Sequence, residues 1–237
     1  MQFRFIQKKQ ESSNAYSFFF DPEQSDFSWN AGQYLVWEQA LTEVDPRGNK
    51  RPFTIATSPS EKTVAITTKI SGSPFKKQLL QTEPGAILSA AGPQGKFTLD
   101  QSGKFGQHLM IAGGIGITPF RSMIKYSLDA GLNLPITLLY SNTVPEEIIF
   151  AQELDEYESA LSLQVVHTIT HPEESKQTWS GRVGRIDENL IKQYATNLNQ
   201  TIFYICGPAK MVAAFKELLL SMQIPAEQIR FELFSGY

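Results

Sequence analysis

The first hundred residues carry short apolar runs separated by turn residues. These runs are 16–20 (YSFFF), 33–41 (QYLVWEQAL), 52–57 (PFTIAT), 63–70 (TVAITTKI) and 86–92 (AILSAAG). Turn sequences stand between them, such as Asp-Pro-Arg-Gly at 45–48 and Glu-Pro-Gly at 83–85. Frequent short strands with turns between them predict an antiparallel barrel or sandwich.

One short helix is predicted inside this β-rich half. Ser73 and Pro74 are followed by residues 75–80, which read FKKQLL. Serine is a preferred N-cap residue, and proline fits the first position of a helix. The pattern therefore predicts that the helix begins at Pro74.

The hydrophobic period changes near residue 105, where apolar runs begin to alternate with segments of helical spacing. The predicted strands are 108–114, 136–142, 163–170, 201–207 and 228–234, and the predicted helices are 118–131, 145–159, 185–195 and 209–222. Such alternation predicts a parallel sheet covered on both faces. We place the boundary in the polar segment 100–104, which gives domains at 1–103 and 104–237.

Charge and cysteine content exclude several classes of protein. The chain has 21 Lys and Arg against 24 Asp and Glu, without the basic stripe of a nucleic-acid-binding protein. Its single cysteine, Cys206, excludes an internal disulfide, a zinc-finger cluster and a four-cysteine iron–sulfur site. No apolar run approaches the ~18 residues of a membrane span, and no signal peptide is evident. We expect a cytoplasmic protein without a metal site or membrane segment.

The sharpest motif is IAGGIGITP at residues 111–119. Glycines after a strand let the backbone approach a pyrophosphate, and the next helix offers free N–H groups to the anion. We expect Thr118 to be the N-cap of that helix and Pro119 its first residue. The alternative is a tight turn without a ligand, because the run lacks the last glycine of the usual dinucleotide fingerprint.

A second motif is Arg51-Pro52-Phe53-Thr54. An arginine beside a strand that presents an aromatic ring and a hydroxyl can hold a phosphate, stack on a ring and form one hydrogen bond. The alternative is an edge strand with an ordinary core phenylalanine. Of these two interpretations, the four residues taken alone favour the edge strand.

The order of the motifs does separate them. RPFT (51–54), GPQGKF (92–97), GGIGITP (113–119), CGP (206–208) and FELFSGY (231–237) follow one another in a way that resembles the ferredoxin–NADP⁺ reductase-like family of flavoenzymes. The resemblance covers roughly residues 3–234. It implies an N-terminal antiparallel Greek-key β-barrel that binds flavin, followed by a Rossmann-like parallel-sheet domain that binds NAD(P)H. FAD is the implied cofactor, with FMN as the alternative.

The resemblance implies a flavin site in the first half. Arg51 would lie on the flavin phosphates, Phe53 on the isoalloxazine, and the Thr54 hydroxyl at flavin N5. Phe53 stands where many members have a tyrosine, whose hydroxyl would bond the sugar chain. Either Phe234 or Tyr237 would cover the other flavin face. The full set of implied flavin ligands is Arg51, Pro52, Phe53, Thr54, Thr68, Lys69, Gly72, Ser73 and Phe234.

The resemblance also implies a nucleotide site. Cys206 would face the nicotinamide and tune hydride geometry, and Glu232 would be the carboxylate near the reacting rings. The segment 140–147 favours NADH over NADPH, because Thr143 stands where relatives often carry a basic residue; Ser141 and Arg121 remain candidate ligands of a 2′-phosphate. The implied NAD(P)H ligands are Gly113, Gly114, Gly116, Thr118, Ser141, Cys206, Gly207 and Pro208.

The implied reaction is hydride transfer from nicotinamide C4 to flavin N5, with Thr54, Cys206 and Glu232 as the catalytic residues. Because a single cysteine cannot hold an iron–sulfur cluster, we expect a stand-alone reductase that passes electrons to a separate ferredoxin, cytochrome or oxygenase component. One alternative is a flavin reductase that uses free flavin as substrate. Another is a non-catalytic subunit that binds flavin or nucleotide and regulates a partner.

Overall fold

The computed structural model describes residues 1–41, 43, 45–160 and 162–234, and within them two six-stranded sheets follow each other along the chain. The first sheet contains β1 (Gln2–Gln10), β2 (Ala15–Pro22), β3 (Tyr34–Glu38), β4 (Lys50–Thr54), β5 (Val64–Lys69) and β6 (Ile87–Gln94). The second contains β7 (Gln107–Gly113), β8 (Ile136–Asn142), β9 (Leu163–Ile169), β10 (Arg182–Val183), β11 (Thr201–Pro208) and β12 (Ile229–Phe234).

The first sheet is antiparallel and curls into a barrel. Its strand order is β4-β3-β6-β1-β2-β5, and every neighbouring pair is antiparallel. Alternate residues point inward, so Phe3, Phe5, Phe18 and Phe20 are buried in one core. The amide of Ala56, just after β4, donates to the carbonyl of Ala65 on β5 at 2.7 Å, which brings the two edge strands together. The predicted barrel domain is confirmed.

The predicted short helix is also present, as α1 (Pro74–Leu80). Phe75 and Leu79 from this helix are buried in the barrel core. Ser73 occupies the N-cap position, but its side chain makes no capping hydrogen bond. The hydroxyl of Ser73 therefore remains available for another partner.

The second sheet is parallel, in the order β10-β9-β8-β7-β11-β12. One face packs on α2 (Thr118–Asp129) and α3 (Ala151–Ala160), and the other on α4 (Glu188–Tyr194) and α5 (Ala209–Ser221). Apolar side chains fill both faces, which explains the continuous hydrophobic runs of these strands. The predicted parallel-sheet domain is confirmed. Among the described helices, none has the length and apolar character required to cross a lipid bilayer.

One local prediction is wrong at its start, and one strand was not predicted. The helix predicted at 145–159 begins only at Ala151, because Pro145–Glu147 form a 3-10 turn and Phe150 has a left-handed φ of 62°. The first strand, β1, was not among the predicted runs, since polar residues separate its inward-facing Phe3 and Phe5.

The two domains are joined by a buried ion network, which we call the Arg121 clamp and which consists of Arg121, Glu61 and Glu153. Arg121 on α2 donates to Glu153 at 2.9 and 2.7 Å and to Glu61 of the barrel domain at 3.0 Å. It also donates to the carbonyl of Ala56 at 3.3 Å. These bonds hold the barrel against the parallel sheet and fix the cleft between them.

Candidate functional site

A cavity of about 250 Å³ lies between the barrel and the carboxyl ends of the parallel strands. Ligands of open α/β sheets bind at this end of the strands. The cavity joins residues that lie far apart in sequence, and its lining consists of Tyr34, Pro52, Phe53, Thr54, Thr67, Thr118, Glu232, Leu233 and Phe234. The structure thus brings together six of the residues predicted for the site, namely Pro52, Phe53, Thr54, Thr118, Glu232 and Phe234.

Thr54 offers an unused hydroxyl to this cavity. It ends β4 opposite Tyr34, and it is 5% exposed. Its Oγ1 has no hydrogen-bond partner among the described residues. Buried hydroxyls are usually paired, so Thr54 Oγ1 is a candidate for a hydrogen bond to a ligand in the cavity.

Phe53 serves the barrel core as well as the cavity. Its ring is 8% exposed and lies 5.8 Å from the ring of Phe75 on α1. The core interpretation of this residue is therefore correct for most of its surface. The small exposed part lines the cavity and gives it an apolar wall.

Arg51 is buried near the start of β4, and most of its N–H groups already have hydrogen-bond partners within the chain. Its Nη2 donates to both carboxylate oxygens of Asp45, at 2.6 and 2.7 Å. Its Nη1 donates to the carbonyls of Arg47, Gly48 and Lys50, at 3.0, 2.8 and 2.7 Å. Only Nε is without a partner among the described residues. A phosphate would meet this one N–H, or would have to replace Asp45.

Further polar groups surround Arg51 near the start of α1. Ser73 is 7% exposed, and its Oγ has no partner among the described residues. Lys76 is 6% exposed, and burial, together with the positive charges of Arg47, Arg51 and Lys69, lowers its pKa to about 8. The sequence analysis did not single out Lys76.

Strand β5 forms the opposite edge of the barrel opening. Thr67 lines the cavity and shares a 2.7 Å hydrogen bond with Ser17, whereas Thr68 is fully buried. Lys69 reaches across to the second domain and donates to Glu147 at 2.8 Å. The predicted contact of Thr68 and Lys69 with a ligand would therefore use mainly their backbone groups.

Glycine is present for different structural reasons at Gly113, which ends β7, and at Gly114 and Gly116, which follow it. A Cβ on Gly116 would lie 2.3 Å from the carbonyl oxygen of Cys206, and one on Gly113 would lie 2.3 Å from the sulfur of Met211. Gly116 therefore allows two backbone segments to pack together, as the ligand-free alternative expected, whereas Gly113 contacts the end of the flexible Met211 side chain. Gly114 has a φ of 51°, and a Cβ there would meet only the end of Lys69, at 3.7 Å. Gly114 alone leaves room for an approaching ligand.

The predicted capping role of Thr118 is wrong. The 3-10 turn Gly114–Ile117 continues directly into α2, so Thr118 already has helical backbone angles. Its hydroxyl donates to the carbonyl of Ile115 at 3.2 Å, and the residue still lines the cavity. Ser141 lies beside this turn, paired with Gly113 across β7 and β8.

Cys206 and Glu232 are register neighbours on β11 and β12. Cys206 is fully buried in the core beneath the cavity, and burial, reinforced by the charge of Glu232, raises its pKa well above the ordinary value. Gly207 and Pro208 follow Cys206 at the end of β11, where Gly207 is buried and Pro208 is exposed. Burial raises the pKa of Glu232 to about 7, and its Oε2 has no partner among the described residues. A carboxyl with this pKa can hold or release a proton near neutral pH.

The structure also gives the positions of Arg121, a candidate ligand of a 2′-phosphate, and of Phe234, a candidate to cover the flavin ring. Arg121 is 7% exposed and belongs to the Arg121 clamp, so it is not available to a 2′-phosphate. Phe234 is half-buried and lines the cavity. Its alternative, Tyr237, lies outside the described residues.

Comparison with known proteins identifies relatives over nearly the whole chain. The family model of the oxidoreductase NAD-binding domain matches residues 110–217. Ferredoxin–NADP reductase B of Sorangium cellulosum is 30% identical over 216 residues, which cover 88% of this chain and 86% of that protein. Nitrate reductase (NADPH) of Emericella nidulans is 35% identical over 185 residues, but the match covers 72% of this chain and 21% of that protein.

Among solved structures, the flavohem-like FAD/NAD-binding domain of nitric oxide dioxygenase from Vibrio cholerae superimposes with a TM-score of 0.86. The match covers 98% of each chain at 18% sequence identity, so it shows a shared fold. The chain spans about a fifth of the length of the nitrate reductase and most of the length of ferredoxin–NADP reductase B.

Proposed function

Because this chain belongs to the ferredoxin–NADP⁺ reductase-like family, we propose that it is an FAD-dependent NAD(P)H oxidoreductase that passes electrons to a separate acceptor. The observation that supports this function best is the cavity shared by both domains. Thr54 from the barrel faces the same space as Thr118 and Glu232 from the parallel sheet. Holding two reactants in one geometry is the main contribution that a protein makes to such a reaction.

The donor set of the barrel fits a flavin with its phosphates. Three buried polar atoms without partners among the described residues are Arg51 Nε, Thr54 Oγ1 and Ser73 Oγ. Two of them, with the exposed Gly72, surround the cationic end of the site, where phosphates would bind. The other, Thr54 Oγ1, lies at the cavity between Phe53 and Phe234, where the ring would bind. When bound, FAD would supply the hydride acceptor and the electron store for the reaction.

The residues of this chain would orient the reactants and control one proton. Thr54 would donate a hydrogen bond to the flavin ring, and Glu232 would hold a proton at its carboxyl group beside the same cavity. The fully buried Cys206 would act by packing under the nicotinamide, together with Gly207 and Pro208. Its raised pKa keeps the thiol neutral, which argues against a nucleophilic role.

The proposed nucleotide is NADH. The segment 140–147 contains no lysine or arginine and includes Glu146 and Glu147. Since Arg121 is engaged in the Arg121 clamp, the nearest arginine on α2 would not meet a 2′-phosphate. We expect a higher kcat/KM for NADH than for NADPH, and the opposite order would contradict this assignment.

A second candidate is a reductase that takes free flavin as substrate. Two observations favour it: the Arg51 fork is bound to Asp45, and Phe53 lacks a hydroxyl for the flavin sugar chain. Both weaken retention of the cofactor. A purified protein that stays yellow through gel filtration supports bound FAD, whereas a colourless protein that reduces added FMN or riboflavin supports the second candidate.

The test of both functions is an anaerobic titration with NADH and, separately, NADPH, followed by flavin absorbance. Bleaching of bound or added flavin is the expected result. If neither nucleotide bleaches the flavin, both enzymatic functions fail, and a non-catalytic binding subunit becomes the better description.

A further inference from the structure

Tyr140 is a fully buried tyrosine of β8 whose hydroxyl bonds the backbone of two loops at the carboxyl end of the parallel sheet. Burial raises its pKa above the ordinary value, so the side chain remains a neutral phenol. We propose that Tyr140 is a positioning residue, whose hydroxyl holds the turn Gly114–Ile117 in the conformation that binds the pyrophosphate of NAD(P)H. This inference rests on the proposed function, because it takes the nucleotide as the ligand of that turn.

The hydrogen bonds of the hydroxyl carry the first part of the argument. The Tyr140 hydroxyl donates to the carbonyl of Gly114 at 3.0 Å. It accepts from the amide of Ile149 at 3.2 Å. One oxygen atom therefore joins the turn that opens α2 to the segment that precedes α3.

The bond to Gly114 determines where the next amide points. In a planar trans peptide the C=O and the N–H point in opposite directions. The Gly114 carbonyl is directed at the Tyr140 hydroxyl, so the Ile115 amide of the same peptide points away from it. Gly114 is the only one of residues 111–120 that is not buried, and a Cβ there would meet only the end of Lys69. The Ile115 N–H is thus among the donors that the turn offers to an anion, as at the start of a helix.

The bond to Ile149 attaches the hydroxyl to a second fixed segment. Ile149 lies two residues after the 3-10 turn that ends at Glu147. The Glu147 carboxylate accepts from Lys69 at 2.8 Å and from Asn14 at 2.9 Å, and both donors belong to the barrel domain. The Tyr140 hydroxyl therefore fixes the turn relative to the barrel as well as to its own sheet. A nucleotide on the turn would keep its place relative to the flavin site, which is the requirement for hydride transfer.

A purely structural role for Tyr140 is the alternative, because its hydroxyl pairs one buried amide and one carbonyl. Tyr204 on β11 provides a matched control. It is fully buried in the same core, and its hydroxyl accepts from the amide of Asp100 at 2.8 Å. Asp100 lies in the segment between β6 and β7. Both hydroxyls thus stabilise the fold, but the one of Tyr204 bonds this segment and not the nucleotide turn.

The experiment compares Tyr140→Phe and Tyr204→Phe with the parent by anaerobic stopped-flow measurement of flavin reduction at increasing NADH concentration, which gives the Kd of NADH and the limiting rate. For Tyr140→Phe we expect the Kd to rise about tenfold, as for one lost hydrogen bond, while the limiting rate stays within about twofold. The rate is preserved because the hydroxyl acts on nucleotide binding and not on the reacting atoms. Tyr204→Phe should change neither value.

Two further readings identify the part of the molecule that responds. Urea denaturation should show a lower midpoint for both variants, and the Kd for FAD should match the parent in both. If Tyr140→Phe lowered the urea midpoint but left the Kd of NADH unchanged, the role of Tyr140 would be structural alone, and the inference would be overturned.

The nucleotides themselves test the pyrophosphate. NADH, NADPH and ADP-ribose all contain it, so Tyr140→Phe should weaken the three by the same factor; calorimetry measures ADP-ribose. A change in the ratio of the Kd values for NADH and NADPH would place the effect at the adenosine end, and that result would also overturn the inference.

A second variant and a measurement on the parent keep the test valid if Tyr140→Phe does not fold. Tyr140→Met retains an adaptable apolar side chain without the hydroxyl and should show the same rise in Kd. In the parent, saturating ADP-ribose should slow hydrogen exchange of the Ile149 amide together with the amides of residues 114–117, because the hydroxyl links them. Slower exchange in the turn alone would contradict the proposed link.

The outcomes also separate this inference from the proposed function. If the parent is reduced by NADH and Tyr140→Phe has the Kd of the parent, only this inference fails. If neither NADH nor NADPH bleaches the flavin of the parent, the oxidoreductase function fails, and the comparison of ADP-ribose binding still decides the role of Tyr140. If the parent binds none of the three nucleotides, both fail.

Discussion

Two arginines, Arg121 and Arg51, are equally buried at 7% exposure, but their surroundings differ. Arg121 has two carboxylates, Glu61 and Glu153, for one guanidinium. Arg51 shares the single carboxylate of Asp45 with Arg47, and its Nε has no partner among the described residues. The comparison shows that two equally buried arginines differ in how completely the chain itself pairs their N–H groups and their charge.

The same contrast extends to uncharged groups. Beside the Arg121 clamp, Tyr157 donates to Glu153 at 2.9 Å and Ser122 donates to the carbonyl of Thr57 at 2.6 Å. In the cavity and beside Arg51, the hydroxyls of Thr54 and Ser73 have no partners among the described residues. An unpaired buried polar group costs about 1–3 kcal/mol. A ligand that pairs with these groups would offset that cost.

The largest expected effect is on the Arg121 clamp. Arg121→Met should lower the free energy of unfolding of the apoprotein by about 3 kcal/mol, because two partly buried carboxylates lose their partner. Urea denaturation measures this change. The control is Lys125→Met on the same helix, whose pair with Asp129 should contribute about 0.5 kcal/mol or less. If the Arg121→Met protein were as stable as the parent, the Arg121 clamp would not stabilise the fold.

The second-largest expected effect concerns Arg51 and the binding of FAD. Arg51→Ala should raise the Kd for FAD about tenfold or more, because the proposed phosphate site loses a cation and the donor Nε. Fluorescence titration measures the Kd, and Lys50→Ala, next to it on the surface, is the control. If Arg51→Ala bound FAD as tightly as the parent, the role of Arg51 would be to hold the loop around Asp45 instead.

A smaller effect, at Thr54, distinguishes a change in the rate of flavin reduction from a change in the stability of the protein. Thr54→Val should slow flavin reduction by NADH about tenfold, as expected for one lost hydrogen bond in the transition state. Stability should be unchanged, because Thr54 Oγ1 has no partner among the described residues. Thr57→Val is the opposite case, since the Thr57 hydroxyl accepts from the amide of Ala65 at 3.0 Å and its loss should reduce stability. Stopped-flow absorbance and thermal unfolding read the two effects, and an unchanged reduction rate would refute the role of Thr54.

The smallest expected effect concerns Glu232. Its pKa is raised from 4.5 to about 7 by burial, so between these values the folded state binds more protons than the unfolded state. The stability contribution of this group is therefore complete below pH 4.5 and is lost as the pH rises to about 7. Comparing the Tm of the apoprotein and of Glu232→Gln across this range should show the decline only in the parent. Parallel profiles would mean that Glu232 is hydrated.

Much of the fold followed from local patterns. Runs such as 63–70 and 136–142 became β5 and β8, because alternation or continuous hydrophobicity records which faces of a strand are covered. The start of α1 at Pro74 was also predicted correctly. The helix predicted from residue 145 was wrong at its start, since Pro145 opens a 3-10 turn that the hydrophobic period does not distinguish from a helix.

The site could be predicted only in part. The order of motifs indicated the family and the region around Thr54 and Glu232, which the structure joins in one cavity. The glycines of residues 113–116 were assigned one common role, although Gly116 makes room for the backbone of β11. No local signal marked Lys76 as buried, because its burial depends on the barrel strands that surround α1.

The sequence by itself determined the succession of a barrel and a parallel sheet, since hydrophobic period and turn residues are local properties of the chain. Only the tertiary structure decided which charges are paired. Arg121 meets Glu61, 60 residues away, whereas Arg51 meets Asp45, six residues away, and shares it. The electrostatic energy of a buried cation depends on the distance to every neighbouring charge and on the exclusion of water. Both quantities are set by packing between segments that are remote in sequence.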